Sequence, residues 1–214
     1  MNLPTVTYPG LALHALTASM PKAIEHLPSP PWLVDLLRPD AEAPVRGGEE
    51  VRTAVRDLLR VHGYRPTGRG KPSSEYLAAA IAEKRLGSIN APVDAGNAAS
   101  LHSGLPISVV DLDLCVPPLR VDVPPAGSTF VFNRSGQTID VGGLLCLFDA
   151  NGPCANAVKD AQRTKTVAGT RNVIAVVWGS DAPDSQHAAR TAAWLSSLFV
   201  RLGAAVERVA VSGA

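Results

Sequence analysis

Between Ser88 and Asp113 the chain reads SINAPVDAGNAASLHSGLPISVVDLD, its densest mixture of polar and apolar residues. Asn90, Asp94 and Asn97 fall in a segment with the character of a short helix. Gly104 and Pro106 break it, and Ser108, Asp111 and Asp113 follow in what reads as a strand. Asp and Asn are poor formers of either element, so their density needs an explanation. On a helix Val93, Asn97 and Leu101 are four apart and share one face, which places the Asn97 amide on the stripe expected to be buried, with Asp94 three residues away. On the strand, alternation sets Asp111 and Asp113 on the face of Ile107 and Val109. A carboxylate among β-branched side chains is either paired or poised for acid–base work. These residues alone read first as a structural network that caps the helix and fixes the turn, and second as a reactive site.

Other chemistry is sparse. The five histidines (His14, His26, His62, His102 and His187) share no metal-ligand spacing, and Cys115, Cys146 and Cys154 make no CxxC pair, so neither a metal nor a cofactor is expected. There is no GxSxG elbow and no glycine-rich phosphate loop. Ser19 and Lys22 form an SxxK with no companion motif. His102 and Ser103 are adjacent, and neighbouring helical residues point about 100° apart, so they do not face one another. Arg65, Arg69 and Lys71 lie in YRPTGRGKP, Tyr64 to Pro72, which reads as a solvated basic loop or as a flexible arm for phosphate.

The elements that must position these residues belong to a mixed chain. It has 214 residues, 46% hydrophobic and 18% charged, enough to bury a core. A net charge of +1 gives no general pull toward nucleic acid or anionic lipid, and 5% aromatics argue against stacking platforms for single strands, so an RNA partner needs a local patch. The odd, unpaired cysteines suit a reduced, cytoplasmic protein. No signal peptide and no membrane span is expected, since Arg190 and Arg201 interrupt the most apolar C-terminal stretch.

Periodicity predicts a strand over Leu11 to Ala18, a short helix over Trp32 to Leu37, and a helix over Glu49 to His62 with Val51, Val55, Leu58 and Leu59 inward. A helix from a Ser73 or Ser74 cap to about Lys84 would bury Tyr76, Leu77, Ala80 and Ile81. Short β segments follow at Leu119 to Val123, Thr129 to Phe132, Gln137 to Val141 and Leu144 to Phe148. Arg171 to Trp178 reads as a strand buried on both faces. A helix capped by Asp184 or Ser185 runs to about Leu202, and Val206 to Val211 closes the chain as a strand. The class is α+β, with helices at both ends and a β-rich centre.

The run INAPVDAGNAASLHSGLPISVVD resembles the hallmark segment of the B3/B4 domain of the phenylalanyl-tRNA synthetase beta chain. That family typically reads IN-x-VVD-x-TNY, a Leu-Gly-x-Pro turn, and HAFD. The matching positions are Ile89, Asn90, Val93, Asp94, Asn97, Leu101, Gly104, Pro106 and Asp111. KPSSEYLAAAI, Lys71 to Ile81, is similar to the RPSSExL helix of free-standing members. DANGPCANA, Asp149 to Ala157, and RTKTVAGTRNVIAVV, Arg163 to Val177, are similar to later segments of the family.

The resemblance implies a B3/B4-like, three-layer fold with a β-rich centre flanked by helices. It implies one domain over residues 1–214, with the hallmark region at 71–177 and residues 1–70 as a strand and helix extension packed on it. In the synthetase this domain edits, hydrolysing the ester of wrongly selected tyrosine on tRNA. The implied activity here is a stand-alone hydrolase of mischarged aminoacyl-tRNA, with the aminoacylated 3′ end of tRNA as partner and neither DNA nor membrane.

Carried over position by position, the resemblance makes Asn97, Ser108 and Asp111 catalytic candidates. Asp94, Gly96 and Asp160 become substrate-binding candidates, and Arg65, Arg69 and Lys71 the RNA contacts. Gly96 stands where the family usually has threonine and Ser108 where the synthetases have histidine. Alternation also aims Ser108 away from Asp111. Chemistry that survives those changes relies on water held by amide, hydroxyl and backbone groups. The alternatives are a non-catalytic module binding RNA or an amino-acid-like ligand, and an interaction protein whose polar network only holds the fold.

Overall fold

The strand Asn172–Ser180 organises the protein. Its sequence, NVIAVVWGS, is apolar at nearly every position, and Val173 to Ser180 are all buried in the computed structural model, which describes residues 1–213. Such a run suits a central strand covered on both faces. In chain order the elements are β1 (Asn2–Pro4), β2 (Leu11–Ser19), α1 (Pro31–Asp35), α2 (Glu49–Arg60), α3 (Ser73–Ala82), α4 (Ala91–Ser103) and β3 (Ile107–Asp111). Then come β4 (Arg120–Asp122), β5 (Thr129–Val131), β6 (Thr138–Asp140), β7 (Cys146–Asp149), β8 (Gly152–Asn156), β9 (Asn172–Ser180), α5 (His187–Arg201) and β10 (Ala205–Ser212). The class is α+β.

The main sheet has the order β1-β10-β2-β9-β3. All its pairs are antiparallel except β1 with β10, and β2 pairs with β9 over its whole length, from Leu11 opposite Ser180 to Ser19 opposite Asn172. Residues alternate between two cores, as the period of two requires. Ile174, Val176 and Trp178 of β9 face one core with Val110 of β3 and the strands β7 and β8 of a second sheet, ordered β4-β7-β8. Val173, Ala175 and Val177 face the other core with Ile107 and Val109 and the inward sides of α4 and α5. The layers are therefore helices, main sheet and small sheet. The helices flank one side, and the small sheet covers the other.

β3 is the edge strand, and only one further bridge, Val110 to Lys165, extends the ladder beyond it. Most of the candidate site residues lie around this edge. α4 packs on one face through Ala91, Ala95, Ala98 and Ala99, small residues that let helix and strand approach closely. Gly96 takes this furthest: a β-carbon there would come within 2.5 Å of the Val109 Cγ2. Asn90 caps the helix by accepting from the Val93 N–H at 3.1 Å, and Gly104 ends it in the left-handed conformation at φ 76°.

Several elements differ from their sequence reading. The stripe of Val93, Asn97 and Leu101 is half-exposed, because the alanine side of α4 takes the buried position. Tyr76 is 49% exposed, since Ser74, Leu77 and Ala80 form the inward side of α3. Pro72 holds the N-cap of α3 and Gln186 that of α5, so Ser73, Ser74, Asp184 and Ser185 give no side-chain cap. Asp184 instead accepts from the Gln186 N–H one turn earlier. β3 ends at Asp111, and Asp113 accepts from the Asn172 amide outside the ladder. The strands β1 and β8 have no signal of their own. β2, within the expected N-terminal extension, sits in the middle of the main sheet between β10 and β9.

Candidate functional site around the β3 edge

On the helix side of β3 the polar residues are consumed by the fold. Asp94 is fully buried, and its carboxylate accepts from the Ser29 hydroxyl at 2.5 Å, the Ser88 hydroxyl at 2.5 Å and the Ile89 N–H at 2.8 Å. It ties the entry of α4 to the loop before α1. Asp111 is buried and accepts from the Thr170 hydroxyl at 2.5 Å and the Asp113 N–H at 2.9 Å, clamping the end of β3 to the approach to β9. Gly96 is occupied by Val109. Asn97 projects from α4, half-buried, and its amide makes no hydrogen bond within the protein among the described residues. His102 bonds to the Leu36 carbonyl and His187 to the Ser103 carbonyl, so neither forms a pair with the Ser103 hydroxyl.

On the other side of β3 the outcome is different. Ser108 is 1% exposed, and its hydroxyl donates to Asp160 Oδ1 at 2.7 Å while accepting from the Trp178 indole N–H at 3.0 Å. A second acceptor, the Asn156 carbonyl, lies at 3.3 Å. A serine has one proton to give, and the shorter bond to an acidic partner claims it. Buried and doubly held, Ser108 is a positioning group for Asp160, not a free nucleophile. Alternation along β3 separates it from Asp111, Ile107 and Val109, as its place in the sequence implies.

Asp160 is delivered by a tight turn. The Asn156 side chain accepts from the Val158 and Lys159 N–H groups at 2.8 and 2.9 Å, and a bridge from Ala155 to Asp160 closes the loop. Burial pushes the Asp160 pKa up to about 6, against the pull of the Ser108 hydrogen bond and of the Lys165 and Lys159 charges. Lys165 is itself shifted below the usual ammonium range, first by burial, with Lys159 pushing the same way and Asp160 opposing. A carboxyl that titrates near neutrality, among two lysines and a serine, is a reactive arrangement.

From Lys165 and Lys159 the structure opens outward. Lys165 Nζ donates to the Phe132 carbonyl at 2.7 Å, and Phe132 lines a cleft of about 360 Å³ together with Arg69, Tyr76, Asn133, Gln137 and Lys159. Lys159 Nζ sits 4.5 Å from the Tyr76 ring centre and 5.5 Å from that of Phe132. Arg65, Arg69 and Lys71 are all exposed on the loop before α3, and Arg69 is the one that reaches the cleft. Ser108 and Asp160 thus come together, and Arg69 lies at the cleft lined by Lys159, the residue before Asp160. Asp94, Gly96, Asn97 and Asp111 lie elsewhere. Sequence reasoning missed the roles of Asn156, Trp178, Lys159, Lys165, Tyr76 and Phe132, because they come from α3, the β5–β6 hairpin, the β8 turn and the approach to and body of β9, which are distant from one another in sequence.

No group of three or more His, Cys, Asp or Glu side chains that could hold a metal is present among the described residues, and no helix among them is long and apolar enough to cross a membrane. The three cysteines are free and buried, with Asp149 nearby held by Arg163 in two bonds of 2.5 and 2.7 Å.

An α+β protein built on a main sheet, a stacked small sheet and one helical layer, with a polar pair beneath the edge strand, defines the class. The chain belongs to the B3/4 domain family, which it matches over residues 65–201. The crystal structure of an N-terminal fragment of the phenylalanyl-tRNA synthetase beta-subunit from Pyrococcus horikoshii is similar in fold, with a TM-score of 0.53 at 10% identity. That similarity covers 99% of this chain and 52% of the fragment, so the chain spans about half its length. No curated protein matches the sequence. The family match begins after β2, yet the main sheet is incomplete without that strand.

Proposed function

We propose that this chain is a stand-alone editing-type domain that hydrolyses the ester of mischarged aminoacyl-tRNA in trans. The observation that carries the reading is the Ser108–Asp160 pair, set beneath the edge strand and next to a cationic cleft. Asp160, ionised above about pH 6, receives the ammonium group of the aminoacyl moiety, and Ser108 fixes its orientation. Arg65, Arg69 and Lys71 meet tRNA phosphates, which gives salt-dependent affinity. Ester hydrolysis needs a water held in line and donors for the oxyanion. The reading takes no group from the helix side of β3, and so gives Asn97 no step.

The test is release of amino acid from a panel of mischarged tRNAs. Release from at least one is expected, and Asp160→Asn is expected to lower kcat/KM about 100-fold, since it removes the negative charge that the reading pairs with the substrate ammonium, a loss of about 2–5 kcal/mol. Activity should also fall as the pH drops below about 6, where Asp160 takes up its proton. No release from any tRNA, with binding intact, would leave the second reading, a non-catalytic RNA- or amino-acid-binding module. The observation favouring that reading is the depth of Ser108, which has no path to attack an ester.

A further inference from the structure

The cleft beside Lys159 has a composition that the Ser108–Asp160 pair does not require. Arg69 and Lys159 both line it, and neither forms an ion pair among the described residues. No carboxylate lines the cleft. Asp160 does not line it and has its carboxyl held by Ser108, and the acids of α3 and its exit are already held, Glu75 by Arg56 and Glu83 by Arg85. A third cation, Lys165, stands half-buried at the Phe132 end.

The aromatic rings make this a built feature. Tyr76 is a large, exposed side chain on α3, a position where solvent contact brings no benefit, and its ring carries Lys159 at 4.5 Å and Arg85 at 5.9 Å. Phe132 holds Lys159 from a second direction. Ring faces attract cations and fix a flexible lysine in one place, at about 0.5–1 kcal/mol for each exposed pair. Arg69 stands on the turn of Gly68–Gly70, where Gly70 packs close to the Tyr64 hydroxyl. One cation is therefore held by rings and a second stands on the adjoining turn, around a polar opening that no carboxylate lines.

We infer that Arg69, together with Lys159 positioned by Tyr76 and Phe132, forms a slot for one phosphate group of an RNA strand. The inference rests on the tRNA reading above and assigns Lys159, Tyr76 and Phe132, which that reading does not use. The phosphate lies between the guanidinium and the ammonium, and Lys165 adds its charge from behind. A phosphate seated here brings the strand next to the Ser108–Asp160 pair, so the slot sets how far the 3′ end can reach.

The test uses uncharged tRNA, so that binding is read without hydrolysis. Labelled tRNA is titrated with the full chain by fluorescence anisotropy at about 50 and 200 mM salt. Arg69→Gln and Lys159→Gln are each expected to weaken binding about 3- to 10-fold and to lower the salt slope by about one. Lys159→Arg should restore most of the affinity. Tyr76→Leu, which removes the ring but no charge, should weaken binding about 2- to 3-fold. Arg190→Gln, on an exposed arginine held by Asp184, should change nothing.

Equal affinity and equal salt slope for the Arg69→Gln, Lys159→Gln double variant would overturn the slot, as would a parent protein that does not bind tRNA at about 50 mM salt. Competition by adenosine monophosphate as effective as by tRNA would overturn the RNA part and assign the slot to a free nucleotide. Inorganic phosphate competing equally would do the same in favour of a bare anion. If no tRNA is deacylated but the variants lose binding as stated, the slot stands and the hydrolase reading falls. Deacylation with unaltered binding in the variants has the opposite meaning.

Discussion

The two faces of β3 receive similar residue types and use them in opposite ways. Toward α4, both carboxylate oxygens of Asp94 and of Asp111 are answered by hydroxyl or backbone donors, and the packing is so close that Gly96 admits no β-carbon. Toward β8, Asp160 has one hydroxyl donor, two lysines at a distance and a pKa raised to about 6, and the cations beyond it face an open cleft. A carboxylate saturated by short hydrogen bonds is a strut. One left with a raised pKa and unmatched neighbours retains free energy that a ligand can release. The difference is why the proposed function is placed on the small-sheet side, although the family hallmark residues lie mostly on the other.

This comparison can be broken most directly at Asp94. Asp94→Ala removes a fully buried carboxylate and leaves its three part-buried donors without their acceptor, and is expected to cost about 3 kcal/mol in urea unfolding. A loss below about 1 kcal/mol would mean that the helix side is not the load-carrying face. Gly96→Ala should cost about 2 kcal/mol, because the new methyl meets the stiff Val109 side chain.

Asp160→Asn sharpens the contrast by having the opposite sign. Its carboxyl is raised from 3.8 to about 6 in the folded state, so the folded chain holds this proton longer than the unfolded one. Stability from this group is therefore greatest below about pH 4 and is lost as the pH rises to about 6. Asn removes that cost, and the variant should be more stable than the parent above pH 6 by on the order of 1–2 kcal/mol, with the advantage vanishing toward pH 4. A destabilised Asp160→Asn at pH 8 would make Asp160 a strut like Asp94.

The smallest effect is expected at Asn97. Its amide is uncommitted within the protein, so Asn97→Ala should shift stability by no more than about 0.5 kcal/mol and leave amino-acid release near the parent rate. A tenfold or greater fall in release would carry the chemistry across the edge of β3 to the α4 side.

Much of the fold was legible in local pattern. The inward residues of α2 are the four that periodicity selects, β2, β9 and β10 lie within a residue or two of their expected spans, and Gly104 ends α4. The failures share a cause. β8 is GPCAN, rich in poor strand formers, and exists because β7 offers it a ladder. Tyr76 fits the inward side of α3 by spacing, but cations 9 and 83 residues away in sequence, Arg85 and Lys159, make an exposed position favourable. Asn97 lies on the apolar spacing of α4, yet a parallel row of alanines allowed closer approach and took the buried side.

The sequence by itself determined which residues are unusual: the polar run from Ser88 to Asp113, the basic loop at Arg65 to Lys71, and the two positions, Gly96 and Ser108, that depart from the family pattern. It also determined the sidedness of β3, because a period of two separates Ser108 from Asp111 in any strand. Only the tertiary structure decided which of those residues are already satisfied. Ser108 meets Asp160 across 52 residues and Trp178 across 70, and Asp94 meets Ser29 across 65. Whether a buried polar group is a strut or a site depends on such partners, and no local spacing encodes them.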